Sequence, residues 1–306
     1  MSNIIIERGK TVKLEELEEY SVAIDGFVIG PQIDALHHKF SFDHHGTEIL
    51  RHATSSASFQ SWVACMLGLE AERFNYFINH VDSDSALAVW TLKNSSRCSE
   101  PLVKKLVDAV NLSDCFGGAL VFNGNSKLVE WVSAPEVEAR RCGDYDKLSN
   151  EGLRNILDSI LARIDLYVNG DASIEISKNH PHCEFKVLSN ENDWVMVESD
   201  DSHVYSALYH SGFDRLVVVH QLADKSYCFS VAKRSDFIPN FDLFEIFSQL
   251  NKLEPGWGGG STIGGAPRNP DGSRSRLTPD QVREIVNNCV LGKYKIKPTR
   301  KKAVKK

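Results

Sequence analysis

Residues 20–46 read YSVAIDGFVIGPQIDALHHKFSFDHHG, and their reading decides the fold. YSVAIDGF (20–27) has the composition of a buried strand that ends at Asp25, and KFSFDHHG (39–46) that of a second, ending at Asp43. Strands buried on both faces read as short continuous apolar runs rather than alternating ones. The GPQIDALHH between them is read as a turn and a short connection. In open α/β sheets ligands bind outside the carboxyl ends of the strands, so Asp25 and Asp43 are expected to share a crevice into which His44 and His45 project. Carboxylate and imidazole together suit Mn²⁺, Fe²⁺ or Zn²⁺, and carboxylate also suits Mg²⁺.

Downstream, the period changes to helical. Ala57, Trp62, Cys65 and Met66 recur at helix spacing after a Ser55 or Ser56 N-cap. AERFNYFINHVDSDSALAVWTLKN (71–94) reads as two helices meeting around NHVDSD, which sets His80, Asp82 and Asp84 at a junction. Further helices are expected at 101–111, 134–141 and 151–168. Strand-like runs follow at 183–188, 193–198, 215–221 and 226–233, with a helix at 202–211 and another near 242–253. Thr278, Pro279 and Gln281 spell a capping box for a last helix. The expected fold class is therefore α/β. A mainly parallel sheet flanked by helices forms an N-terminal metal-binding domain (1–172), and a smaller α+β C-terminal domain (180–292) follows. Residues 293–306 are expected to be a disordered basic tail.

Composition narrows the function. The chain has 306 residues, 42% hydrophobic and 25% charged, with a net charge of −6. Eight of its 35 basic residues fall in 293–306, which leaves 27 against 41 acidic residues before them, a balance of −14. Such a body disfavours long nucleic acids as partners. Apolar runs such as LVVVH (216–220) are strand-sized and too short to span a membrane. Seven scattered cysteines without a CxxC pair argue for reduced thiols and a cytoplasmic location. No GxSxG, HExxH or Walker lysine is present. GWGGGSTIGGAPR (256–268) concentrates Gly258, Gly259, Gly260, Gly264 and Gly265 within eight residues. Backbone N–H groups of such a loop, with the Ser261 and Thr262 hydroxyls, can converge on an anion. Arg234 and Arg268 could clamp a phosphate bidentately. A flexible connector is the alternative reading of the same loop.

FDHHG resembles the signature of the DHH phosphoesterase superfamily, which includes pyrophosphatases, single-strand exonucleases and oligonucleotide phosphodiesterases. Asp25, eighteen residues before Asp43, matches the family's preceding aspartate, and Asp82, or alternatively Asp84, its later one. YCFSVAKRSDF, the helix near 242–253 and the glycine loop follow in the order of the family's C-terminal domain, so the pattern spans 20–268. The resemblance implies that Asp25 bridges two metals, His44 is a ligand and Asp82 or Asp84 a terminal ligand. It further implies that His45 faces the substrate phosphate and Asp43 orients the histidines. Mn²⁺ would be the cofactor and a small phosphorylated substrate, a nucleotide or short oligonucleotide, would bind between metal domain and lid. A homodimer is left open. Two departures stand out. IIIERGKTVKLEELEEY (4–20) holds no histidine or aspartate, where the family's first motif carries both, and Ser261 replaces the glycine-loop histidine. Asp34, His37, His38, His80 and Asp84 are the residues at hand as substitute ligands. The expected function is metal-dependent phosphoester hydrolysis. The alternatives are a non-hydrolytic binder of metal or phosphorylated ligand, or a single-metal enzyme of other chemistry.

Overall fold

The structure is a computed structural model, and it describes residues 3–46, 54–120, 126–174, 183–201, 203–269 and 272–294. The chain divides into two compact units, Met1–His180 and Pro181–Lys306. The expected disordered tail lies almost wholly outside the described residues.

Unit 1 is built on a five-stranded sheet ordered β1-β5-β2-β4-β3. The strands are β1 (Ile4–Ile6), β2 (Ser21–Ile24), β3 (Gln32–Asp34), β4 (Lys39–Phe42) and β5 (Asn75–Ile78). β1, β5, β2 and β4 run parallel, and β3 pairs antiparallel at the edge. The helices are α1 (Ala57–Met66), α2 (Ser83–Lys93), α3 (Pro101–Phe116), α4 (Ser126–Arg141) and α5 (Asn150–Val168). One sheet face, through Val22, Ile24, Tyr76 and Ile78, joins a core with the buried sides of these helices. The other, through Ala23 and Phe77, packs on Leu14, Leu17, Phe27 and Val28. Each fully buried aliphatic side chain contributes roughly 1.5–3 kcal/mol to holding these layers together.

Three sequence readings change here. Residues 75–78 are a central strand, not part of a helix pair. Four residues buried on both faces carry no period that separates strand from helix, and pairing with β1 and β2 decides it. The first strand is Ile4–Ile6, ahead of the one at residue 20, and Glu7, Arg8 and Gly9 follow it. The connection at 31–38 contains the edge strand β3.

Unit 2 holds a six-stranded sheet ordered β10-β11-β9-β8-β7-β6. Its strands are β6 (Lys186–Glu191), β7 (Trp194–Glu198), β8 (Arg215–Gln221), β9 (Tyr227–Lys233), β10 (Gly258–Gly259) and β11 (Ile263–Gly265). Only the β7–β8 pair is parallel, spanned by α6 (Val204–His210). α7 (Leu243–Leu250) and α8 (Pro279–Val290) cover one face through Ile246, Phe247, Val282 and Val286. The Thr278–Gln281 capping box forms as read. Trp194 and Trp257 lie in this core.

The glycine-rich stretch is a β-hairpin rather than a free loop. Gly258 pairs with Gly265 and Gly259 with Gly264, while β11 continues the sheet onto β9. A Cβ on Gly264 would fall 2.4 Å from the Gly258 carbonyl oxygen and 2.6 Å from the Phe247 ring. One on Gly265 would fall 2.3 Å from the Phe229 oxygen. Close backbone packing therefore accounts for glycine at 259, 264 and 265, whereas a Cβ on Gly258 would meet nothing within 4 Å. No described helix is long and apolar enough to cross a membrane.

Candidate metal centre

The parallel strands of unit 1 end side by side, and their next residues are the polar ones. Asp25 follows β2 directly. Its backbone is left-handed, φ 50°, and Gly26 continues the turn at φ 86°. Asp tolerates this region better than most residues, and the backbone N–H of Asp25 is tied to the Phe42 carbonyl at 2.9 Å. The turn buries the Asp25 side chain almost completely.

Two groups of potential ligands meet on this one carboxylate. On one side, Oδ1 lies 3.8 Å from His44 Nε2 and 3.4 Å from His45 Nδ1. On the other, Oδ2 lies 3.1 Å from His80 Nε2, which is itself 3.4 Å from Asp82 Oδ2. Asp25, His44 and His45 form one set with ligand atoms close enough for a cation, and Asp25, His80 and Asp82 a second. A third joins His44 with Asp114 and Cys115 of α3, with His44 Nε2 3.1 Å from Asp114 Oδ2. Asp25 Oδ1 and Asp114 Oδ2 are buried oxygens that accept no hydrogen bond. Buried polar atoms almost always have a partner, so each of these oxygens suits a cation within its own set, Asp25 with His44 and His45, and Asp114 with His44 and Cys115.

Second contacts orient the rings. Asn79, at the end of β5, gives both amide hydrogens to backbone carbonyls, of Lys10 and of Gly26, each at 2.9 Å. Its Oδ1 must therefore face the His80 ring and accept from Nδ1–H at 2.7 Å. In the neutral ring that leaves the Nε2 lone pair aimed at Asp25 and Asp82, the orientation a ligand needs. His45 is held differently: its Nδ1 donates to Asp43 Oδ1 at 2.7 Å, which leaves Nε2 on a half-exposed edge. Asp43 accepts also from the Gly30 N–H at 2.6 Å. Gln60 of α1 bonds both the Asp43 amide and its carbonyl, holding the turn after β4 in place.

Charge in the centre follows from these contacts. Burial opposes a charged His80, but its hydrogen bonds to Asp25 and Asp82 prevail and raise its pKa well above the ordinary value. Burial likewise opposes an ionised Asp82, yet the His80 bond and charge, with the Ser85 N–H, hold it below the usual carboxylate range. The bond to Asp43 raises His45. Asp114 is pushed well up by burial and by Asp84, Asp25 and Asp82. Carboxylates and imidazoles thus crowd together at this centre, and a divalent cation would compete with protons for the same ring nitrogens and oxygens.

The sequence-predicted residues separate clearly. Asp25, Asp43, His44, His45 and Asp82 come together. Asp84 is close by, but both its oxygens accept N–H groups at the start of α1, Ala57 at 2.8 Å and Ser58 at 3.0 Å. Burial, Asp25 and Asp82 push its pKa up to about 7. Asp82 caps α2 with Oδ1 on the Ser85 N–H and keeps Oδ2 toward His80. Of the substitute ligands only His80 reaches the centre. Asp34 pairs with His37 at the surface, and His38 stacks on Tyr20. In unit 2, Arg234 is 3.5 Å from Asp214, Ser261 donates to Asp236 at 3.0 Å, and the Thr262 carbonyl accepts from Lys233 N–H. Arg268 is exposed. Gly260 N–H closes the hairpin onto the Ile263 carbonyl at 2.8 Å. Asp114 and Cys115 escaped the sequence reading. The helix was expected to end at residue 111, and only its continuation to Phe116 places both residues on it.

Fold and centre together define a two-unit α/β chain whose N-terminal unit carries residues that could hold a divalent cation. No family model matches the chain, and no curated protein matches it. Among solved structures it is similar to a pGpG-specific phosphodiesterase, PggH, from Vibrio cholerae. The two are 13% identical, the match covers 82% of this chain and 78% of that one, and the TM-score is 0.37.

Proposed function

We propose that this protein is a metal-dependent phosphoesterase of the DHH type, with Mn²⁺ as its cofactor and a nucleotide or short oligonucleotide as its substrate. The observation that carries this reading is the position of Asp25, one oxygen toward His44 and the other toward His80 and Asp82. Divalent cations held there would supply an activated water and neutralise charge on the phosphoryl oxygens. Asp25, His44, His80 and Asp82 bind. Asn79 orients His80. His45, fixed through Nδ1 by Asp43, presents Nε2 to contact the phosphate or protonate a leaving oxygen. Ser261, Thr262, Arg234 and Arg268, with the glycine hairpin, would grip the substrate phosphate, as the resemblance implies.

The test is metal content of the purified chain and Mn²⁺-dependent turnover of a phosphodiester panel, with His44→Ala as control. Turnover lost in the variant along with bound metal is expected. Less than one metal per chain and no turnover would refute the reading. A second reading, a non-hydrolytic binder, has one observation in its favour. The residues after β1 are engaged elsewhere: Arg8 Nη1 donates to the Leu148 carbonyl, the Arg8 N–H to Asn150, and Glu7 pairs with Lys10. Stoichiometric metal and saturable nucleotide binding without turnover would select it.

A further inference from the structure

We propose that Tyr145 is a positioning residue of the metal centre, whose hydroxyl holds His80 and Asp82 in place through the backbone of the residue between them. The inference rests on the metal-dependent reading above and deepens it, since neither the DHHG stretch nor the resemblance gives residue 145 a role.

The segment that carries these two side chains lies between regular elements. β5 ends at Ile78 and α2 begins at Ser83, so the peptide groups on either side of Val81 belong to neither ladder nor helix. Val81 is fully buried in the core, where both groups need a partner from the protein. The Tyr145 hydroxyl meets both: it accepts the Val81 N–H at 2.9 Å and donates to the Val81 carbonyl at 2.6 Å. The N–H belongs to the peptide that joins Val81 to His80, and the carbonyl to the peptide that joins it to Asp82. One oxygen, sixty-four residues away in the chain, therefore fixes the two planes from which the ligand side chains depart. His80 Nε2 then stands 3.4 Å from Asp82 Oδ2 and 3.1 Å from Asp25 Oδ2. Asn79 orients the His80 ring; Tyr145 fixes the backbone that carries it.

Such a clamp holds only if its ring is itself held. Tyr145 is buried on the single helical turn Tyr145–Lys147 between α4 and α5. The Arg140 guanidinium of α4 covers the ring, 3.9 Å from its centroid. Arg140 Nε donates in turn to Glu136, buried one turn earlier on the same helix. A buried phenol usually finds a hydrogen-bond partner, and Tyr76 shows the ordinary case. Its hydroxyl donates to the Ala71 carbonyl at 2.7 Å, ahead of β5 and at the strand end opposite the centre. Tyr145 differs in engaging both backbone groups of the one residue that separates two neighbouring ligands. Partners that orient ligands in this way set the affinity of a metal site as well as its geometry.

The test titrates the metal-stripped full chain with Mn²⁺ and reads the free ion by electron paramagnetic resonance. Tyr145→Phe keeps the ring and loses the oxygen, and it should weaken Mn²⁺ binding by about 10–100-fold. Tyr76→Phe loses a buried hydroxyl bond of the same kind, and should lose comparable stability while binding Mn²⁺ like wild type. A folded Tyr145→Phe chain that binds Mn²⁺ as tightly as wild type overturns the inference, and so do equal losses of affinity in the two variants. Hydrogen exchange in wild type gives a second readout that needs no variant to fold. Saturating Mn²⁺ should slow exchange of the Val81 N–H more than that of the Tyr76 N–H, because metal binding and closure of the clamp are reciprocally linked. Slowing no greater than at Tyr76 overturns the inference. A wild type that binds no Mn²⁺ refutes the metal-dependent reading and this inference with it. Weakened binding in Tyr145→Phe, in a protein that turns over no phosphodiester, upholds the positioning role and refutes the hydrolase reading alone.

Discussion

Alanine at the paired glycines of unit 2 separates a packing role from a ligand-gripping one. At Gly264 the new methyl would meet the Gly258 oxygen at 2.4 Å and the Phe247 ring at 2.6 and 2.7 Å. Phe247 is buried in the core against the sheet, so neither neighbour can retreat freely. Overpacking of this kind costs about 1–3 kcal/mol. At roughly 4 °C per kcal/mol for a unit of this size, Gly264→Ala should lower the unfolding temperature of unit 2 by about 4–12 °C. Gly259→Ala should cost more, because its φ is +148° and its Cβ would sit 2.2 Å from the Gly264 Cα. Gly258, in the same GGG run, has open space where its Cβ would go, and its alanine variant should stay within about 0.5 kcal/mol of wild type. Calorimetry and urea titration with an unchanged m-value provide the assay. Equal stability for Gly264→Ala and Gly258→Ala would refute close packing as the reason for glycine at 264.

Asp82→Asn should abolish one Mn²⁺ position with little loss of stability, since the amide oxygen still caps α2. Asp84→Asn should do the opposite, keeping metal while losing about 1–3 kcal/mol, because two buried N–H groups lose one acceptor; metal counting beside thermal unfolding distinguishes them. His45→Ala should reduce turnover by roughly 10²–10⁴-fold at unchanged metal content, and a matching loss of metal would recast His45 as a ligand. For pH, burial lowers the pKa of His220 from 6.5, so the unfolded chain takes up a proton that the folded one resists. Stability should therefore fall as pH drops through about 6.5 toward the lower folded pKa. His220→Gln should flatten that dependence in unit 2; a slope unchanged by the substitution would assign it to other groups.

Much of unit 1 was legible locally. SVAI and KFSF are apolar runs of strand length, each followed by an aspartate, and those aspartates mark the carboxyl ends of parallel strands. Ser56, Thr278 and Gln281 mark helix starts because capping bonds reach only three residues along the chain. NYFI, by contrast, is too short to show a period, and only its two strand partners make it β5. IIIE carries the same ambiguity.

The sequence by itself determined the chemistry on offer: aspartates and histidines after apolar strands, scattered cysteines, and an acidic body. Tertiary structure decided which of those groups meet. Asp82 and Asp84 are two residues apart and chemically identical, yet one faces His80 and the other holds the first turn of α1. Asp114 stands seventy residues from His44 and faces the same nitrogen as Asp25. The glycines that read as a phosphate loop are spaced for a hairpin pressed against Phe247 and β9. In each case the outcome depends on distances set by strand order and helix packing, which join residues far apart in the chain and leave no mark in local spacing.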